Sequence, residues 1–186
     1  LTLNHKVGDS VSANIIRNRK RMTITFPLKS LQIQKAMVQQ AYYDKKPGYY
    51  IFAGCIFQEL TDEYMKTWGR QWTKKANKRL IYHYSENLMK RKSQKNRTVV
   101  VLNKILPAKI NVGYQYYKYL IVDKVNNIHV KDIAHMRKLI MGLKSKYIRL
   151  TFIGGIEFVI NKKKALLSEF TILKRYKIPK AFYKGQ

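Results

Sequence analysis

Tyr50-Ile51-Phe52-Ala53-Gly54-Cys55-Ile56-Phe57 is an apolar strand interrupted by one small-Gly step, and the turn-forming Glu59-Leu60-Thr61-Asp62 follows it. Bulky apolar residues stand on both sides of Gly54, so it reads as more than a loop glycine. A glycine inside a strand pattern marks a bulge or a place where another backbone comes close. Bordered by Phe52 and Cys55, it would line up successive backbone N–H groups beside an apolar pocket. Such a nest holds carboxylates, and the strand that leaves it, Cys55 to Glu59, offers an edge to which a peptide can add. The run fits a buried strand with a packing glycine as well, and the rest of the chain has to decide.

On the N-terminal side, Lys45-Lys46-Pro47-Gly48 marks a boundary, because Pro-Gly punctuates strongly. Before it, 31–43 is a polar, Gln-rich connector with weak apolar spacing, partly helical. Residues 1–28 read as two strands: Val11 to Arg17 and Met22 to Phe26 alternate with period two around the polar tip Asn18-Arg19-Lys20, and Pro27 stops the second. Two strands alone are marginal in water, so this hairpin is expected to be the tail of a domain whose earlier part lies upstream.

On the C-terminal side the period changes. Residues 61–97 read as a helical insertion: Tyr64, Met65 and Trp68 fall at helical spacing, and Leu80, Tyr84 and Leu88 at i, i+4, i+8. Trp68, Trp72, Leu80, Tyr84 and Leu88 are too apolar for a solvated linker, so a docked cover near Cys55 to Glu59 is expected. Thr98 to Leu102 is a β-branched strand, continued by Lys104-Ile105-Leu106 to Pro107. Tyr119 to Val122 is another, leading into an Asx-rich turn at Asn126-Asn127. Asp132 can cap a helix with apolar positions Ile133, Met136, Leu139, Ile140 and Leu143. Tyr147 to Phe152 and Ile156 to Ile160 form a hairpin around Gly154-Gly155, and Leu166 to Tyr176 is a last helix before a polar tail.

Composition narrows the classes. The chain has 186 residues, 46% of them hydrophobic, enough for one domain plus a fragment. No apolar run approaches the ~18–20 residues that cross a bilayer, so no membrane insertion is expected, and the start carries no signal-peptide pattern. The lone Cys55 excludes an internal disulfide framework and a cysteine-based zinc site. His5, His83, His129 and His135 are scattered without ligand spacing, so no metal and no cofactor are expected. These features point to an intracellular or organellar protein and leave the compartment open. The formal charge of +28 raises the prior for nucleic-acid binding. Lys and Arg occur in nearly every segment, however, which fits weak polyanion affinity better than base recognition.

The plan of Val11 to Phe26, strand, basic tip, strand, recurs at Tyr147 to Ile160 with a Gly-Gly tip, as in tandem modules. The order of the second module is a Gly-broken strand, an insertion, strands, a helix and a closing hairpin. It resembles the circularly arranged PDZ domains of the HtrA/Deg serine proteases. Phe52-Ala53-Gly54-Cys55 resembles that family's carboxylate-binding loop, and Leu120 to Ile128 its strand ending in I-x-x-V/I-N-G, with Asn127 in place of the glycine. Gly8-Asp9-Ser10-Val11 followed by Arg17-Asn18 is similar to the close of a preceding PDZ domain. Asn111-Val112-Gly113-Tyr114 and Ile172 to Pro179 resemble the second PDZ domain of the plant-type Deg branch.

The resemblance implies an α+β fold, a PDZ-like partly open β-barrel or sandwich of five to six strands with flanking helices and a helical insertion. Residues 1–29 would close a first PDZ domain, 30–48 would link, and 49–186 would form a second with its insertion at 61–97. It also implies a non-catalytic region of a DegP-like endopeptidase. This region would bind peptides or unfolded-protein substrates by strand addition and assemble with copies of itself. The site residues expected are Phe52, Ala53, Gly54, Cys55, Ile56 and Phe57 on the strand and Ile133, Met136, Arg137 and Ile140 on the helix, with His135 as a further polar neighbour. Two other functions stay open: a basic nucleic-acid-binding module, and an oligomerisation domain whose groove its own insertion fills.

Gly8-Asp9-Ser10 invites a protease reading, but Val11-Ser12 follow where the glycines of an oxyanion hole would stand. A Ser-His-Asp triad also needs a full scaffold to bring its members together. The tripeptide reads as turn chemistry, Gly154-Gly155 as a hairpin tip, and no phosphate-loop motif occurs.

Overall fold

The computed structural model describes residues 5–29, 36–39, 46–95 and 97–185, and the chain divides into two units, residues 1–33 and 34–186. The first unit is a hairpin of β1 (Ser10–Arg17) and β2 (Lys20–Pro27), in register from Ser10 opposite Pro27 to Arg17 opposite Lys20. Asn18 and Arg19 make the turn with φ of 53° and 62°. That left-handed pair matches the twist of the strands it joins. Ser12 and Thr25 share a 2.9 Å hydrogen bond and Thr23 donates to Asn14 at 2.8 Å, which zips one face of the hairpin.

The second unit runs β3 (Tyr49–Phe52), β4 (Cys55–Glu59), α1 (Asp62–Lys66), α2 (Trp72–Lys75), α3 (Lys78–Leu88), β5 (Val100–Ile105), β6 (Leu120–Val125), β7 (Ile128–His129), α4 (Ile133–Gly142), β8 (Tyr147–Phe152), β9 (Glu157–Asn161), α5 (Lys162–Arg175) and β10 (Phe182–Tyr183). Among the described residues its eight strands form one antiparallel sheet in the order β10-β3-β4-β5-β6-β8-β9, with β7 also on β6. The sheet is open, and the fold is α+β and PDZ-like. Two strands exceed the expected five to six, and they are the two-residue pieces β7 and β10.

Apolar layers cover both faces of the sheet, which is why its central strands read as continuous hydrophobic runs. On β5, Val100 and Leu102 face the main core with Phe52, Phe57, Phe152 and Phe158, whereas Val101 faces a second core. Ile133, Met136 and Ile140 of α4 and Ala165 of α5 close the main core. The second core is the work of the insertion: Met65, Leu80 and Tyr84 pack on Val101 and Ile121, with Trp68, Trp72 and Leu88 around them. Burying such side chains stabilises the docked insertion by ~1.5–3 kcal/mol each before ordering costs are subtracted. The insertion therefore covers the face opposite α4 and α5. It does not cover a strand edge, because alternate residues of β5 and β6 leave apolar surface on that back face. Of the connector expected over 30–48, most lies outside the described residues, but Met37 and Val38 are buried in the second core.

Side-chain caps set the helix starts. The hydroxyl of Thr61 accepts from Tyr64 N at 3.1 Å, Asp132 Oδ1 from His135 N at 2.6 Å, and Asn161 Oδ1 from Lys164 N at 3.0 Å. The last cap starts α5 at Lys162, four residues before the expected Leu166, and places three lysines in its first turn. Lys162 is turned to use: its Nζ donates to Met141 O at 2.8 Å and to Leu143 O at 2.6 Å, carbonyls at the C-terminal end of α4. A cation there also complements the helix dipole.

Candidate peptide-binding groove

Ala53 and Gly54 form the two-residue turn between β3 and β4, with φ of 51° and 82°, and Phe52 and Cys55 are the closing pair. Gly54 is thus a hairpin glycine at the turn between two strands, and not a glycine inside one strand. Another backbone nevertheless comes close. A Cβ on Gly54 would stand 2.6 Å from Leu106 O and 2.5 Å from Nδ2 of Asn111, and Leu106 N donates to Gly54 O at 2.8 Å. Asn111 is fully buried and locks the turn from beneath. Its Nδ2 donates to Ala53 O at 2.7 Å and to Leu106 O at 2.8 Å, while its Oδ1 accepts from Ala108 N at 3.0 Å. In the sequence Asn111 stands only in the stretch Asn111-Val112-Gly113-Tyr114 that resembles the second PDZ domain. Its role comes from a contact with residue 53 that no local pattern carries.

Cys55 to Glu59 is not an edge. β4 pairs with β3 along Tyr49–Gln58 to Phe52–Cys55 and with β5 along Cys55–Ile105 to Glu59–Val100. A strand hydrogen-bonded on both sides has no ladder left for a peptide. Cys55 and Phe57 are fully buried, and Ile56 is partly buried on the other face. Of the helix residues expected in the groove, Ile133, Met136 and Ile140 are core, and Arg137 is exposed. His135 is taken up locally, its Nδ1 accepting from Lys131 N at 3.2 Å.

The edge beside α4 belongs to β3, and a segment of the same chain lies along it. Phe182 stands opposite Tyr50 and Tyr183 opposite Tyr49, antiparallel, with Ile51 N donating to Ala181 O at 2.7 Å. The Tyr49 hydroxyl donates to Lys180 O at 3.0 Å. The Phe182 ring meets Tyr50 edge-on at 6.1 Å, and the Arg137 guanidinium lies 4.8 Å from its centroid. Tyr50 and Phe52 project to the main core that α4 closes, and Phe182 packs against that core with Arg137 of α4 beside it. Ala181-Phe182-Tyr183 is a short apolar run after Pro179, inside what reads from sequence as a polar tail.

The electrostatics follow from burial. Burial pushes the Tyr50 hydroxyl above its ordinary range, reinforced by Glu169 and opposed by Arg137. That hydroxyl has no hydrogen-bond partner among the described residues. Burial likewise raises the Cys55 thiol to about 12 and lifts the Glu59 carboxyl, although Thr98 Oγ1 donates to Glu59 at 3.0 Å. Among the described residues no group of three His, Cys, Asp or Glu could hold a metal, and no helix is long and apolar enough to cross a membrane. Ser10 opens β1 on an exposed face, and Asp9 closes the preceding turn by accepting from Lys6 N at 2.8 Å.

Comparison with known proteins matches residues 38–184 to the PDZ domain family. The putative mitochondrial protease Do-like 12 of Arabidopsis thaliana is 29% identical over 95% of this chain and 30% of its own length. The putative protease Do-like 13 of the same plant is 26% identical over 96% of this chain and 31% of its own. A serine protease DegP homolog of Plasmodium falciparum is 36% identical over 72% of this chain and 14% of its own. The chain thus spans about a third or less of the length of these relatives. With the open sheet, the α4 helix beside β3 and these matches together, the chain belongs to the PDZ domain family, in the form carried by the Do-like proteases of the HtrA/Deg kind.

Proposed function

We propose that this chain is the peptide-recognising, non-catalytic region of a Do-like serine endopeptidase, and that it takes extended peptides in place of β10, along the side of β3 away from β4 and beside α4. One observation carries the reading: that side of β3 already receives an extended segment antiparallel to it, with an aromatic side chain lodged against Tyr50 and Arg137. Strand addition supplies affinity through main-chain hydrogen bonds, and the slot for alternate side chains supplies selectivity. The binding elements are then Tyr49, Tyr50 and Ile51 with Arg137. Phe52, Cys55 and Phe57 and the core face of α4 act as the bed that holds them in place.

The same reading includes assembly with further copies of the chain, for which Leu167 and Phe170, exposed three residues apart on α5, are the candidate surface. Dispersed lysines add weak polyanion binding that falls steeply with salt through counterion release. A panel of unrelated synthetic decapeptides, titrated into the isotopically labelled chain, tests the groove. Binding should move the amide resonances of Tyr49 to Phe52 most. Peptides that bind while leaving β3 unmoved would overturn the assignment.

A further inference from the structure

We infer that the groove between β3 and α4 selects peptides with an aromatic residue opposite Tyr50, and that Ala181 to Gly185 is a tethered ligand of this class which must leave before another peptide enters. The inference rests on the peptide reading above and names its ligand. Its ground is the detailed way this segment sits. The pairing uses main-chain groups at Ile51 and Ala181, which any peptide could supply. Phe182 is the side chain seated against the main core, in an edge-to-face contact with Tyr50 and beside the Arg137 guanidinium, while Tyr183 tilts against Tyr49 at 6.2 Å. A guanidinium over a ring face favours an aromatic over an aliphatic occupant of the same size.

Past the strand, the segment continues beside the residues that enter β3. A Cβ on Gly48 would stand 2.8 Å from Lys184 O, and one on Gly185 would stand 3.0 Å from Gly48 N. Backbone therefore lies directly on backbone there, an approach that glycine alone allows.

The segment is also lightly held. Its strand is two residues long, and Ala181, Phe182 and Tyr183 are each only partly buried. Elements with so few buried contacts open locally without global unfolding. Beneath it, the Tyr50 hydroxyl is buried without a partner among the described residues, and a phenylalanine cannot provide one. An incoming peptide that offers an acceptor at that point makes an interaction the resident segment lacks. As a tethered ligand the segment competes at an effective concentration in the millimolar range, so a free peptide should bind the intact chain weakly.

The probe is a fluorescein-labelled synthetic peptide, Pro-Lys-Ala-Phe-Tyr-Lys-Gly-Gln, the sequence of residues 179–186. Fluorescence anisotropy should show at least about tenfold tighter binding to the Phe182→Ala chain, and to a chain ending at Lys180, than to the unaltered chain. The peptide with alanine for its phenylalanine should lose at least about tenfold on both. In the unaltered chain, the Ile51 amide should exchange with solvent through local opening, unaffected by low urea. Exchange of Ile51 only at the rate of global unfolding would overturn the inference. So would variants that bind the probe no better than the unaltered chain, or that fail to fold, because the segment would then be a fixed part of the structure. If the variants bind unrelated decapeptides on β3 but not this probe, the inference falls and the groove reading stands. If they bind this probe and no other peptide, the inference stands and the general reading falls.

Discussion

Replacing Gly54 with alanine adds one methyl group where two effects oppose it, and a second glycine allows them to be separated. The backbone at Gly54 has φ +82°, and the new Cβ would lie 2.5 Å from Asn111 Nδ2 and 2.6 Å from Leu106 O. The left-handed conformation costs an L-residue roughly 1–2 kcal/mol. Crowding of this degree in a packed interior adds about 1–3 kcal/mol, since a backbone carbonyl and a buried, triply bonded amide have to shift. The expected loss is therefore about 2–5 kcal/mol, a large share of the ~5–15 kcal/mol that holds a typical domain folded. Gly155 has a matching φ of +83° and nothing within 4 Å of the same position, so Gly155→Ala carries the conformational cost alone. Urea unfolding followed by tryptophan fluorescence is the assay, because Trp68 and Trp72, the chain's two tryptophans, both belong to the second unit. Gly54→Ala should cost about 1–3 kcal/mol more than Gly155→Ala. Equal losses in the two variants would refute the argument that Asn111 and Leu106 fill the space against this turn.

Glu59 gives a test with a definite sign. Its carboxyl is raised, chiefly by burial, so the folded chain holds that proton to higher pH than the unfolded chain does. Stability should fall as pH rises from the ordinary carboxylate value of about 4.3 through the raised one. Glu59→Gln keeps an acceptor for Thr98 but does not titrate. It should unfold at higher urea than the parent at pH 7, with the gap closing at pH 4; a gap independent of pH would count against the burial argument. Cys55 is fully buried with its thiol raised to about 12. A thiol reagent at pH 8 should label the native chain at least about a thousandfold more slowly than the urea-unfolded chain, and rapid native labelling would mean that the β3–β4 turn opens readily.

What could be read from the sequence was local. The alternation of Val11 to Arg17, the Asp132 cap and the Asn126-Asn127 turn are each encoded within a few residues, and each forms where its pattern places it. The expected insertion helices formed as well, since Leu80, Tyr84 and Leu88 carry their period in one stretch. The groove was harder to read, because an edge is a property of the whole sheet. Cys55 to Glu59 and Tyr49 to Phe52 are both short apolar runs, and only the pairing of β4 with β5 shows that the outer side lies on β3, where the two-residue β10 pairs. The same holds for Phe182, whose partner Tyr50 lies far away in sequence. The start of α5 was hidden for another reason: three lysines at a helix N-terminus oppose the dipole, and the Asn161 cap and the reach of Lys162 to α4 offset them.

The meeting of Gly48 with Lys184 and Gly185 has a mechanical consequence. The polypeptide enters β3 and departs from β10 at the same end of one antiparallel pair, so tension between the incoming and outgoing chain acts across that pair as a zipper is opened. Each hydrogen bond is loaded in turn, beginning with the backbone contacts at Gly48 and moving on to Tyr49 and Tyr50. A pull that separates these two ends is resisted one bond at a time, while the sheet from β4 to β9 carries no load. Whatever draws the two strands apart would bare β3 long before it strained the core.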